Sequence, residues 1–176
     1  MQLHRGNLFL VGMPGCGKST LGRLLAKRLS KTFYDADIEL ERRLGVSIPL
    51  IFELEGEPGF RDREEAVLSD LVGLSNVVLS TGGGAVLRPV NRERLAQGGT
   101  VLYLHAPPTT LWERTRRGKH RPLLQAPDPQ ARIRELYEMR DALYREVADF
   151  VVESDREQVS RLAHRLEQQL RAQAQA

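Results

Sequence analysis

The segment Gly12-Met13-Pro14-Gly15-Cys16-Gly17-Lys18-Ser19 constrains this chain more than any other, because it fits the pattern G-x-x-x-x-G-K-[ST]. It directly follows the apolar run Asn7 to Val11. It precedes Lys18 to Ser30, where Leu21, Leu24, Leu25 and Leu29 recur at helical spacing. A strand, a glycine turn and a helix in that order make a cradle for an anion. Glycines let the backbone curl until successive N–H groups converge, and the positive end of the helix dipole favours the same charge. Lys18 is then placed to reach the β- and γ-phosphates of a nucleoside triphosphate, and Ser19 offers a hydroxyl to Mg2+. Gly15, Cys16, Gly17, Lys18, Ser19 and Thr20 form the expected nucleotide-binding set. Cys16 is expected to be a small tolerated side chain there, not a nucleophile. No Asn-Lys-x-Asp element for reading guanine accompanies the loop, so the nucleotide is expected to be ATP.

Further β-type runs occur at Thr32 to Tyr34, Asn76 to Ser80, Thr100 to His105 and Asp149 to Val152, separated by helical segments. Val77-Val78-Leu79 and Val101-Leu102-Tyr103-Leu104 are apolar throughout, as strands covered on both faces must be. The fold class is therefore α/β: a P-loop NTPase-type three-layer α/β/α arrangement with a five-stranded parallel sheet, of the nucleoside monophosphate kinase-like kind. Helices are predicted over Ile38 to Leu44, from Pro58 onward, up to Gly98-Gly99, from about Ala131 and over Asp155 to Leu170. Pro122, Pro127 and Pro129 exclude a continuous helix over Leu123 to Gln130 and predict a loop. All 176 residues are expected to form one kinase domain, with residues 33–62 as a substrate-binding insertion and residues 112–128, approximately, as a lid.

Composition narrows the class of partner. Lys and Arg number 26 against 23 Asp and Glu, and this weak basicity does not by itself indicate nucleic acid. A single cysteine excludes an internal disulfide and suits a reducing compartment. The apolar run near the start is too short for a membrane span or a signal segment. The expectation is a cytoplasmic protein, a monomer, with no membrane or nucleic-acid partner.

Three segments supply candidate acceptor chemistry. Phe33-Tyr34-Asp35-Ala36-Asp37 puts two carboxylates at the end of the second strand, where α/β folds bind ligands. One can organise the metal and the other take a proton from an attacking hydroxyl, unless one merely caps the following helix. In Gly59-Phe60-Arg61-Asp62-Arg63-Glu64-Glu65, Arg61 lies one turn before two carboxylates that can orient its guanidinium toward a ligand carboxylate; a surface ion pair is the alternative. Ser80-Thr81-Gly82-Gly83-Gly84 follows a buried strand, and its glycines let backbone N–H groups approach a ligand. Arg114, Arg116, Arg117, Lys119, His120 and Arg121 concentrate positive charge beside the proline-rich loop, as expected of a lid over a triphosphate; an RNA-binding patch is the rival reading. Arg140 is a further candidate from its own helix.

These elements, together with Ile51-Phe52, Glu55-Gly56-Glu57, Arg121-Pro122-Leu123-Leu124 and Arg140 with Leu143-Tyr144, occur in the order found in shikimate kinases. The chain resembles that family from about Asn7 to Leu170. The resemblance implies transfer of phosphate from ATP to the 3-hydroxyl of shikimate, with Mg2+. It implies Asp37, Phe60, Arg61, Gly82, Gly83, Gly84 and Arg140 at the shikimate, with Asp37 also the base and Glu64 bracing Arg61. It further implies Asp35 and Ser19 near Mg2+, Arg121 as the lid arginine, Arg114 near adenine, and Lys18 and Arg121 beside Asp37 as the catalytic set. The loop Asp155-Arg156-Glu157 departs from the family's pattern, which has a proline there. A gluconate kinase-like enzyme is the nearest alternative, and a non-catalytic nucleotide- or RNA-binding module the alternative of another class.

Overall fold

The computed structural model describes residues 6–116 and 125–174. Strands β1 (Leu8–Val11), β2 (Thr32–Asp35), β3 (Val77–Ser80), β4 (Thr100–His105) and β5 (Phe150–Glu153) form one sheet in the order β2-β3-β1-β4-β5. Every pairing is parallel. The three inner strands carry the core: Phe9, Leu10, Val11, Val78, Leu79 and Val101 are wholly buried. The edge strands β2 and β5 are only partly covered, and their sequences alternate more.

Helices α1 (Lys18–Leu29), α2 (Ala36–Leu44), α3 (Ile48–Val72), α4 (Pro89–Gly98), α5 (Pro108–Thr115), α6 (Pro129–Val147) and α7 (Val159–Ala174) cover the sheet, with one 3-10 turn at Ala85–Leu87. α1 packs on α7, while α3, α4, α6 and α5 pack on one another in succession. Asn7, just before β1, ties the lower strand ends together. Its amide donates to Leu74 O at 2.6 Å and its carbonyl accepts from Val77 N at 3.1 Å.

Four helix starts differ from the sequence expectation: α2 begins at Ala36 instead of Ile38, because Asp35 caps it. α6 begins at Pro129, two residues early, because Asp128 caps it by accepting from Ala131 N at 3.0 Å and proline needs no donor in a first turn. α7 begins at Val159 instead of Asp155, and Glu157 in the intervening turn is held by Arg165. α3 extends back to Ile48 and is broken at Gly56, whose φ of 68° and ψ of −176° are not helical. Only glycine takes that conformation without strain. Helix geometry resumes at Glu57 with Pro58 in the new first turn, which is the start expected from the sequence.

The register aligns Asp35 with Ser80 and Ser80 with Leu10. The carboxyl ends of β2, β3 and β1 therefore open side by side into one crevice, with the glycine loop leaving β1 at its centre.

Candidate active site

The loop from Gly12 to Gly17 turns on glycines with positive φ: 87° at Gly15 and 100° at Gly17. These conformations, open to glycine without strain, curl the loop over the start of α1. Lys18 is buried, and its ammonium donates to Gly12 O at 2.8 Å and Met13 O at 3.0 Å. Cys16 faces inward and is 1% exposed, with Sγ 3.6 Å from the Lys18 Nζ. Its thiol belongs to the core, while its backbone belongs to the cradle.

The two aspartates after β2 divide their tasks. Asp35 caps α2, with Oδ1 accepting from Asp37 N at 3.0 Å and Ile38 N at 3.2 Å. Its Oδ2 accepts from Ser19 Oγ at 2.5 Å. The cap thus falls to Asp35, and Asp37 stands on the first turn of α2 with its side chain toward the glycine segment after β3. A Cβ on Gly82 would lie 2.9 Å from Asp37 Oδ1 and 2.6 Å from Glu64 Oε2. We expect Gly82→Ala to displace both carboxylates and to cost at least tenfold in kcat/KM for the acceptor, the scale of a small misplacement at a reacting centre, about 10- to 100-fold. Initial rates at varied acceptor check it.

Arg61 is 6% exposed, and the surface ion-pair reading of its spacing does not apply. Its Nη1 donates to Glu64 Oε1 at 2.7 Å and its Nη2 to Glu57 Oε1 at 3.1 Å. Burial pushes the Glu64 carboxyl above its ordinary range, against the pull of Arg61 and Arg140. Gly84 lies directly over the Arg61 guanidinium, where any side chain would overlap it. Arg140, on α6, is 1% exposed, and burial lowers its pKa. Arg140 Nε and Nη1 and Glu64 Oε2 have no hydrogen-bond partner among the described residues. Buried guanidinium donors without acceptors are costly and rare. They suit a site built to receive an anion.

These groups share one cavity of about 710 Å3 with the phosphate cradle. Gly15, Gly17, Lys18, Ser19 and Thr20 line it beside Asp35, which bonds to Ser19, and Asp37, Arg61, Glu64, Gly82–Gly84 and Arg140 line it too. So does Phe60, packed on Phe52 with ring centroids 4.7 Å apart. Arg114 completes the lining, donating to Cys16 O at 3.2 Å and to Ser154 O at 3.0 Å, which fastens the loop after β5 to the cradle. Arg116 pairs with Glu113. Arg117, Lys119, His120 and Arg121 lie outside the described residues.

Sequence reasoning passed over Ile48 and Pro49, which complete the apolar wall beside Phe52. On a helix start they read as ordinary core, and no signal separates the two. It noted Tyr144 only as part of the family pattern, without a role; the Tyr144 hydroxyl donates to Gly83 O at 2.5 Å.

A parallel sheet in this order, a glycine cradle with its lysine at the start of α1, and a second polar chamber opening onto the same cradle together define a P-loop kinase. The comparisons narrow the class. The family model for shikimate kinase matches residues 14–171, and the chain belongs to that family. The shikimate kinase of Nitrosospira multiformis is 59% identical over 165 residues, covering 94% of this chain and 85% of that one. The shikimate kinase of Neisseria meningitidis serogroup C is 56% identical over 168 residues, covering 94% and 99%. Among solved structures, shikimate kinase from Acinetobacter baumannii in complex with shikimate superposes with a TM-score of 0.92 at 46% identity, covering 96% of this chain and 94% of that one. A gluconokinase from Sinorhizobium meliloti reaches a TM-score of 0.62 at 20% identity, a likeness of fold alone.

Proposed function

We propose that this enzyme transfers the γ-phosphoryl group of ATP to the 3-hydroxyl of shikimate, giving shikimate 3-phosphate and ADP. The observation that carries the reading is one cavity that Asp37, Arg61 and Arg140 line together with the phosphate cradle, with two Arg140 donors unpaired among the described residues. Arg61 and Arg140 hold the substrate carboxylate. Arg61 is already oriented by Glu64 and Glu57, so less freedom is lost on binding. Phe60 and Phe52 pack against the ring, and the Gly82–Gly84 backbone leaves room for it.

The reaction then needs little covalent work from the protein. Asp37 accepts the proton of the 3-hydroxyl as that oxygen bonds to the γ-phosphorus and the bond to the ADP oxygen breaks. Lys18 and the amides of Gly15 to Thr20 hold the β- and γ-phosphates throughout. Ser19 and Asp35 offer adjacent hard oxygens beside the cradle, which fit Mg2+ with most of its ligands supplied by phosphate and water. Bound there, Mg2+ neutralises phosphate charge. Arg114 borders the adenine end, and Arg121, outside the described residues, adds positive charge to the transferring group as the resemblance implies. Residues 33–62 serve as the substrate-binding insertion of a single domain.

We infer a cytoplasmic monomer acting in aromatic amino-acid biosynthesis. No helix among the described residues is long and apolar enough to cross a membrane. The test is an acceptor panel: purified protein with ATP, Mg2+ and shikimate, gluconate or a nucleoside monophosphate. The expected result is the highest kcat/KM for shikimate. A higher value with gluconate would reassign the acceptor while leaving the kinase class in place, and salt-dependent RNA binding without ADP release on any acceptor would favour a binding module.

A further inference from the structure

We infer that Tyr144 is a positioning residue for the acceptor site: its hydroxyl fixes the Gly83–Gly84 peptide and the Arg140 guanidinium relative to each other. The inference rests on the acceptor reading given above, and goes beyond it by assigning work to a side chain that does not line the cavity. Tyr144 is completely buried, and its ring lies 4.9 Å from that of Tyr103. Packing alone would be served equally by phenylalanine. The hydroxyl instead crosses from α6 to the segment after β3, donating to Gly83 O.

That bond has a directional consequence. In a trans peptide the carbonyl and the following N–H point in opposite directions. No peptide bond in the described residues is cis. Pinning Gly83 O toward α6 therefore turns the Gly84 N–H away from α6. Among the described residues no backbone carbonyl accepts from Gly83 N or Gly84 N. Ala85 N donates to Gly82 O at 3.1 Å, so Gly83 and Gly84 are the central residues of a turn, and with no Cβ at either the peptide between them has two orientations open while that outer bond stays in place. The Tyr144 bond selects one of them.

The same hydroxyl meets Arg140, which precedes it by one helical turn. A Cβ on Gly83 would lie 3.4 Å from Arg140 Nη1, and the Tyr144 hydroxyl bonds to the carbonyl of the same residue, so Gly83 adjoins both guanidinium and phenol. The electrostatics agree. Burial drives the Tyr144 hydroxyl well above the ordinary phenol range, and the Arg140 charge beside it pulls the other way. A neutral phenol donates its single proton to the carbonyl and leaves its lone pairs for a cation. A neutral acceptor therefore stands beside the guanidinium, whose Nε and Nη1 have no partner among the described residues.

The test is Tyr144→Phe, which deletes one oxygen and keeps the ring. Tyr103→Phe is the control. It removes the hydroxyl of a second buried tyrosine, one that also bonds to α6, through Asp141 at 2.7 Å, and lies outside the cavity. We expect Tyr144→Phe to raise the shikimate KM by about five- to tenfold, the scale of one hydrogen bond to a charged or buried group, with the ATP KM within about twofold of wild type. Tyr103→Phe is expected to lower the melting temperature and leave the shikimate KM in place. Equal KM changes in both variants, or none in Tyr144→Phe, would overturn the inference. In the ligand-free protein, the Gly83 and Gly84 amide resonances should shift in Tyr144→Phe while those of Gly12 and Gly17 do not. Unmoved Gly83 and Gly84 resonances would overturn the inference whichever acceptor the enzyme uses. Failure of wild-type protein to turn over shikimate would instead count against the functional reading.

Discussion

Arg61→Ala is expected to abolish most of the enzyme's preference for its acceptor while leaving nucleotide binding in place. The guanidinium is buried against Glu64 and Glu57, and it faces the cavity that the phosphate cradle also lines. Losing a charged hydrogen-bond donor to a substrate carboxylate costs at most about 3 kcal/mol, or about 100-fold in kcat/KM, and the loss should appear mainly in the acceptor KM. The ATP KM should stay within about twofold, because among the described residues Arg61 bonds to Glu57 and Glu64 and not to the cradle.

The same substitution has a structural cost. Glu64 is 3% exposed and would lose the ion pair that satisfies its Oε1. Breaking a buried pair by removing one partner typically costs about 3–5 kcal/mol. Here the loss should fall at the low end of that range, because Arg140 remains close and burial already favours a protonated Glu64. Arg61→Lys separates the two effects. It retains a positive charge for Glu64 but not the two-pronged donor, so stability should recover more than the acceptor KM does. An unchanged acceptor KM in Arg61→Ala would remove this residue from the site.

The second large effect is expected at Asp37. Asp37→Asn keeps the size of the side chain and removes its ability to take a proton. General base catalysis contributes about 100- to 10,000-fold, and kcat should fall by that order. The helix should be untouched, because Asp35 and not Asp37 caps α2. Thermal melting should therefore be near wild type, and the shikimate KM should change far less than kcat. Rapid-quench measurement of the phosphoryl-transfer step checks this without interference from product release. Full activity in Asp37→Asn would leave the acceptor hydroxyl without its base.

The contrast between these two aspartates shows how far sequence reasoning reaches. Asp35 and Asp37 are two residues apart at a strand end, and either fits a cap or a base by type. What separates them is the angle at which the chain leaves β2, set by Asp35 accepting from Asp37 N and Ile38 N. The cradle was legible because its parts are contiguous: strand, glycine loop, lysine and helix follow one another, and their geometry is local. The parallel sheet was legible for a similar reason, since Val77-Val78-Leu79 and Val101-Leu102-Tyr103-Leu104 have no polar face to offer solvent.

Long-range convergence was legible only through resemblance. Nothing near Arg140 in the chain says that α6 aims its guanidinium at Gly83, or that Tyr144 bonds to the same glycine. Ile48, Pro49 and Phe52 acquire their place on the cavity wall only because Gly56 breaks α3 and sets its first half at a different angle. Arg114 becomes part of the nucleotide end through Cys16 O and Ser154, partners distant in sequence.

A crystal structure with shikimate, ADP and Mg2+ bound tests the central claim most directly. The account predicts the shikimate carboxylate between Arg61 and Arg140, and the 3-hydroxyl within hydrogen-bond reach of Asp37 and facing the terminal phosphate. A complex in which shikimate binds with Asp37 and Arg61 turned away from that phosphate would contradict it.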